Sequence, residues 1–161
     1  MPITLRSAGS ADEPFLFELY ASTRREEIAP WNWPEPQVAA FLQMQFRAQR
    51  LSYDSAYPGA EHSLILEDGR PIGRLLVWRG QPELRLVDIS LLPEARGRGI
   101  GGQLLAELME ECRAGGRRLT LQVLVTNPAR RLYLRMGFRR TGGDPLYDQM
   151  EWTPQGNQER P

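Results

Sequence analysis

Apolar residues return along this chain at two spacings, and the change from one to the other marks out its elements. Phe15, Leu16, Leu19 and Tyr20 recur at helical spacing. So do Val38, Phe41, Leu42 and Phe46, then Leu104, Leu105, Leu108 and Cys112, and finally Ala129, Leu132, Tyr133 and Met136. Around these stripes lie short apolar runs of strand length: Ile3 to Arg6, Ser63 to Leu66, Ile72 to Trp78, Leu84 to Leu92, Leu119 to Val125, Phe138 to Thr141 and Leu146 to Trp152. The pattern therefore predicts the order βααβββαβαββ.

Turn and cap residues punctuate that order. Ser10 to Glu13 has the form of a capping box, with Ser10 at the N-cap and Glu13 at N3, and the charged run Arg24 to Glu27 reads as a solvated helix end. Pro34 suits the first position of a second helix reaching Gln49. Leu51 to Ala60 lacks periodicity and is rich in turn formers, which predicts a surface loop over the substrate end of the sheet. Glu67-Asp68-Gly69-Arg70 reads as a hairpin turn, Gly80-Gln81-Pro82 as the turn into the next strand, and Gly115-Gly116 and Gly137 as helix stops. Trp31-Asn32-Trp33, bracketed by Pro30 and Pro34, is either a lid on a pocket or a staple between two helices. Residues 153–161, TPQGNQERP, read as a disordered tail.

The length of 161 residues, 41% of them hydrophobic, fits one domain over residues 1–152 with its own core. One cysteine and one histidine exclude a disulfide framework and a Cys/His metal site, so no metal is expected. Cys112 falls on an apolar stripe and reads as a core thiol, and His62 as a structural or surface residue. Twenty basic and 20 acidic residues balance, which points away from nucleic acid and membrane partners. Arginines nevertheless crowd between Arg96 and Arg140. Without a long apolar run or a signal-like start, the chain is expected to be soluble and cytoplasmic, as a monomer or a homodimer.

The strand Leu84 to Leu92 runs into glycines at 97, 99, 101 and 102 and then a helix. Glycines let backbone approach a ligand closely, and helix N-terminal amides with Arg96 and Arg98 beside them favour a phosphate. Gly97, Gly99 and Gly102 satisfy the dinucleotide pattern G-x-G-x-x-G, but Pro93 to Arg96 separate them from the strand, and the following strand ends in Thr126 and Asn127 rather than an acid. No Gly-Lys-Ser/Thr follows, which excludes a P-loop. The overlapping pattern Arg96-x-x-Gly99-x-Gly101 after Leu91-Leu92-Pro93-Glu94 resembles the acyl-CoA pyrophosphate loop of the GNAT superfamily of N-acetyltransferases. Asn127-Pro128-Ala129, Leu132-Tyr133 and Gly137-Phe138 resemble that superfamily's second motif, in order and at the expected distance.

The resemblance covers nearly the whole chain. It implies an α/β GNAT fold: a single mixed, twisted sheet of about six to seven strands flanked by about four helices, with the strands Leu84 to Leu92 and Leu119 to Val125 splayed to receive pantetheine. It also implies acetyl-CoA as cosubstrate, held by Leu91, Leu92, Arg96, Gly97, Arg98, Gly99, Ile100, Gly101, Gly102, Gln103, Asn127, Ala129 and Tyr133. The amide of Leu91 would polarise the thioester carbonyl, and Tyr133 would serve as general acid.

Gln122 stands where many relatives that acetylate protein amines carry Glu, and Gln accepts no proton at neutral pH. Asp88, an acid within an apolar strand, is either paired with an arginine or the replacement base, with Glu83 as a second candidate. Trp31, Trp33 and Tyr147 are the candidates for the acceptor side of the pocket. The function expected is acetyl transfer to a primary amine of a small molecule or peptide by direct attack in a ternary complex. An acyl-CoA-binding module without catalysis is the alternative.

Overall fold

The computed structural model describes residues 2–154. Seven strands are present: β1 (Ile3–Ser7), β2 (Glu61–Glu67), β3 (Arg70–Arg79), β4 (Glu83–Leu91), β5 (Arg118–Leu124), β6 (Arg139–Gly143) and β7 (Tyr147–Trp152). Four α-helices accompany them: α1 (Glu13–Ile28), α2 (Glu35–Ala56), α3 (Ile100–Gly115) and α4 (Ala129–Arg135). The strands lie in the order β1-β2-β3-β4-β5-β7-β6. The β4–β5 pair is parallel, while β1–β2, β5–β7 and β6–β7 are antiparallel, so the sheet is mixed as expected.

The chain forms two compact units. The first comprises residues up to 76 together with 88–98. There α1 and α2 bury one stripe each: Leu16 and Phe46 close on Leu64 of β2, and Ala21, Ile28 and Leu42 form a second cluster with Val38 and Phe41 against it. The second unit comprises residues 77–87 and those from 99 onward. Its central strand β5 buries Leu119, Leu121 and Val123, and the α3 stripe of Leu104, Leu105, Leu108 and Cys112 is buried as its spacing predicts. Burial pushes the Cys112 thiol pKa up, as befits a core residue rather than a nucleophile.

Three local expectations are corrected. The capping box closes one residue early: Gly9 N–H donates to Asp12 Oδ2 at 2.8 Å, and Arg6 holds the same carboxylate through bonds of 3.0 and 3.2 Å. Ser10 lies in a 3-10 turn, and Glu13 pairs with Arg50 instead. Pro34 is the N-cap of α2 rather than its first residue. The third correction is larger, because α2 runs to Ala56 through most of the stretch expected to be loop, with Tyr57 N–H closing it on Tyr53 O at 2.8 Å. Phe46, Gln49, Tyr53 and Tyr57 keep helical spacing there, but they line a cavity, so their face is polar and aromatic and the apolar period disappears. The tail reading for residues 155–161 lies outside the described residues.

Candidate active site

In the second half of β4, Leu92 N–H donates to Ile72 O of β3 at 2.8 Å. Backbone groups alternate sides along a strand, so the Leu91 N–H points away from β3. On the same edge the Leu91 carbonyl accepts from Arg96 Nε at 3.0 Å, which ties the following turn to the strand end. The β4–β5 ladder joins Glu83–Leu86 to Arg118–Leu121, and both strands continue past it.

A 3-10 turn at Pro93–Ala95 carries the chain from β4 to the glycines. Gly97 and Gly99 take left-handed backbone, φ 72° and 82°, and a Cβ on either would meet no atom within 4 Å. The conformation therefore favours glycine, and the space beside the turn is open. Gly99 caps α3, whose first internal bond runs from Gln103 N–H to Gly99 O at 3.0 Å. The amides of Ile100, Gly101 and Gly102 thus have no intrahelical partner, and the helix dipole adds to their attraction for an anion. Arg96 is exposed beside them, whereas Arg98 is ion-paired with Glu67 and is not the free charge its position in the sequence suggests.

Asn127, Ala129, Tyr133 and Tyr147 belong to the second unit. Asn127 Oδ1 accepts from Ala129 N–H at 2.9 Å and so starts α4. That leaves the Asn127 amide NH₂ as its remaining donor group. Tyr133 is buried and its ring lies 5.6 Å from that of Phe138. Gln122 pairs across the ladder with Gln149, whose Nε2 donates to the Gln122 carbonyl oxygen, and Arg85 donates to Gln149 in turn. Glu83, the first residue of β4, is held by Thr120 and Arg118.

Asp88 shares the first unit with Leu91. It accepts from Arg74 Nε at 2.6 Å and from Ser90 Oγ at 3.0 Å, so the pairing with an arginine is realised. Arg74 also donates to Gln49 at 3.0 Å and lies over the Tyr53 ring. Beside it opens a cavity of about 490 Å³, lined by the start of α1, the last turns of α2, His62, Arg74 and Leu76.

Tyr53, Asp54, Tyr57 and His62 were not apparent from the sequence as pocket residues, although the four-residue spacing of Gln49, Tyr53 and Tyr57 on a continued helix is the signal that locates them. Trp31 and Trp33 do not line this cavity. They are tilted against each other and meet Phe41 edge-on, with ring centroids 5.0 to 5.6 Å apart, and remain 45% and 37% exposed.

Unpaired amides at the start of a helix are a favourable place for an anion such as a phosphate. The chain belongs to the acetyltransferase (GNAT) family, whose family model matches residues 16–138, across both units. It is 33% identical over 87 residues to a protein of Bacillus subtilis (strain 168) described as a candidate [ribosomal protein bS18]-alanine N-acetyltransferase. That match spans 53% of this chain and 58% of the relative's length.

Solved structures share the fold. The PaiA N-acetyltransferase of Thermoplasma acidophilum, in complex with coenzyme A, is 19% identical and superposes with a TM-score of 0.71, covering 95% of this chain and 99% of that one. An acetyltransferase from Thermus thermophilus is 24% identical with a TM-score of 0.66, over 95% and 97% of the two chains. YncA of Salmonella typhimurium, with acetyl-CoA, is 23% identical with a TM-score of 0.58, over 95% and 94%.

Proposed function

We propose that this protein is an acetyl-CoA-dependent N-acetyltransferase acting on a primary amine of a small molecule or peptide. The carrying observation is the Leu91 amide, which points off β3 beyond the end of the β4–β5 ladder, immediately before the glycine turn. Two relatives of the same fold are described with coenzyme A or acetyl-CoA, which supports the choice of carrier.

In this reading the amides of residues 97–102 and the Arg96 guanidinium hold the pyrophosphate, and the NH₂ of Asn127 is a donor for the pantetheine arm. The cosubstrate supplies an activated acyl group. The Leu91 N–H polarises its carbonyl and stabilises the oxyanion formed on attack, a kind of contact whose loss costs about 10²-fold to 10³-fold in rate. Tyr133 gives a proton to the departing sulfur. Acyl transfer from a thioester to an amine requires no metal.

Gly99→Glu tests the cradle. The new side chain enters open space but puts a negative charge at the pyrophosphate, so calorimetry should show coenzyme A binding abolished in a folded protein. Gly99→Asn accepts left-handed backbone without the charge and should retain most of the affinity. Equal affinity in the folded Gly99→Glu variant would overturn the assignment. The alternative of a binding module without catalysis rests on Gln122, whose carbonyl oxygen is occupied by Gln149 and offers no base.

A further inference from the structure

We propose that Arg130 and Asp148 form a latch that holds α4 at the angle from which Tyr133 donates its proton, which makes the two of them positioning residues. This deepens the role proposed for Tyr133 and rests on it.

α4 is seven residues long, and a helix of two turns does not stand on its own hydrogen bonds. Its one buried side chain is Tyr133 itself. A short helix with a single buried anchor can roll about that anchor, and here the anchor is the residue whose hydroxyl has to be aimed. Contacts other than Tyr133 packing therefore set the angle.

Those contacts all lie in the second unit. Asn127 Oδ1 fixes the start of α4 through Ala129 N–H at 2.9 Å, and Phe138 N–H donates to Tyr133 O at 3.0 Å near its end. Toward α3, the Leu132 methyls lie 3.7 and 3.8 Å from where a Cβ on Gly101 or Gly102 would stand, so α4 borders the first turn of α3. On the flank toward the sheet, Arg130 stands three residues before Tyr133 and so on a neighbouring position of the helix surface. Its Nε donates to Asp148 Oδ2 at 2.5 Å.

Asp148 is a fixed base for that contact. It is buried in β7, opposite Val123 of β5 on one side and Gly143 of β6 on the other. The strands close tightly there, since a Cβ on Gly143 would lie 2.2 Å from Tyr147 O and 3.1 Å from Asp148 Cα. The second carboxylate oxygen accepts from Arg140 Nε of β6 at 2.7 Å. Arg130 first and Arg140 second hold the Asp148 pKa below the ordinary carboxylate range, so the latch is charged at neutral pH.

The two arginines do different work on one carboxylate. Arg140 joins β6 to β7, which a backbone ladder from Arg139 to Gly143 already joins. Arg130 joins a helix to a strand, where no ladder can form. Its ion pair is therefore the contact that α4 depends on for its angle.

That asymmetry sets the experiment. Arg130→Gln and Arg140→Gln each remove one guanidinium from the same carboxylate, and the two parent side chains are 36% and 51% exposed, so neither change empties the core. The full chain is labelled with 3-fluorotyrosine. Of its five tyrosine resonances, that of Tyr133 is the one missing from Tyr133→Phe. Arg130→Gln should shift or broaden the Tyr133 resonance, and Arg140→Gln should leave it in place.

Turnover is followed on unlabelled protein as thiol release from acetyl-CoA, with whichever of the amines, amino acids, polyamines, aminoglycosides and peptides gives the parent its highest rate. Arg130→Gln should lower kcat by up to about 10²-fold, the cost of misplacing a reacting group by about 1 Å, with little change in the KM for acetyl-CoA. Arg130→Lys, which restores the charge, should recover part of the rate, and Arg140→Gln should keep nearly all of it. In a Tyr133→Phe background Arg130→Gln should cost little more, because the residue it positions is already gone.

An unmoved Tyr133 resonance in Arg130→Gln, the same losses in Arg140→Gln, or an undiminished fall in kcat in the Tyr133→Phe background would each overturn the proposal. A parent protein without turnover would instead strike the acetyl-transfer reading, because the fluorine spectra do not depend on it.

Discussion

Tyr133 shows how a single residue's role depends on its frame. By spacing alone it is one more apolar member of the α4 stripe, and its burial against Phe138 agrees with that. The motif around it, Asn127 before and Gly137-Phe138 after, is what makes it the proposed proton donor. Tyr133→Phe removes one oxygen and keeps the ring contact, so the fold and the affinity for coenzyme A should persist. The kcat should fall about 10²-fold to 10⁴-fold. A free thiol has a pKa near 8.5, so above that pH the leaving thiolate needs its proton less, and part of the lost rate should return as pH rises. Turnover at the parent rate, measured across that pH range, would make Tyr133 a packing residue. His62 is the converse case. A lone histidine at a strand edge carries no motif, and its neighbours Arg74, Asp88, Arg50 and Glu13 come from elsewhere in the chain.

Among the elements, those that bury an apolar face were legible and those that face a cavity were not. The α3 stripe and the β5 run are written in leucine and valine, and both appear where their periodicity places them. The last turns of α2 obey the same helical spacing, but with Gln49, Tyr53 and Tyr57 on the inner side, which reads as loop when only hydrophobicity is followed. The turn before α3 was legible because its glycines answer a conformational need, seen in the left-handed angles of Gly97 and Gly99. Arg98 was misread for lack of tertiary information, since Glu67 is far away in sequence and neutralises it.

The Trp31 to Trp33 segment keeps both of its readings. Its rings meet Phe41 edge-on yet remain more than a third exposed, so they do not fill the core. We expect Trp31→Ala and Trp33→Ala to cost less than the roughly 3 to 5 kcal/mol of emptying a core site, and to raise the acceptor's KM while leaving that of acetyl-CoA unchanged. A denaturant melt that loses the full core penalty would establish them as a staple.

At the scale of the molecule, the near-equality of acidic and basic residues hides an ordered distribution. Arginines are paired across elements, as in Asp148 held by both Arg130 and Arg140, and Glu111 held by Arg79 and Arg117. Those contacts hold the Asp148 and Glu111 pKa values below the usual carboxylate range. Against this background the first amides of α3, which have no intrahelical partner, stand out as a place for an anion.

The central claim, that the chain transfers an acetyl group from acetyl-CoA to a primary amine, is tested most directly by amine-dependent release of free thiol from acetyl-CoA, with the acetylated product identified by mass spectrometry. The screen runs across amines, amino acids, polyamines, aminoglycosides and peptides. At least one primary amine should raise thiol release above the hydrolytic background and gain one acetyl group, and Gly99→Glu should abolish both signals. A folded protein that binds acetyl-CoA, yet releases no more thiol with any of these acceptors than without, would contradict the claim and leave an acyl-CoA-binding module.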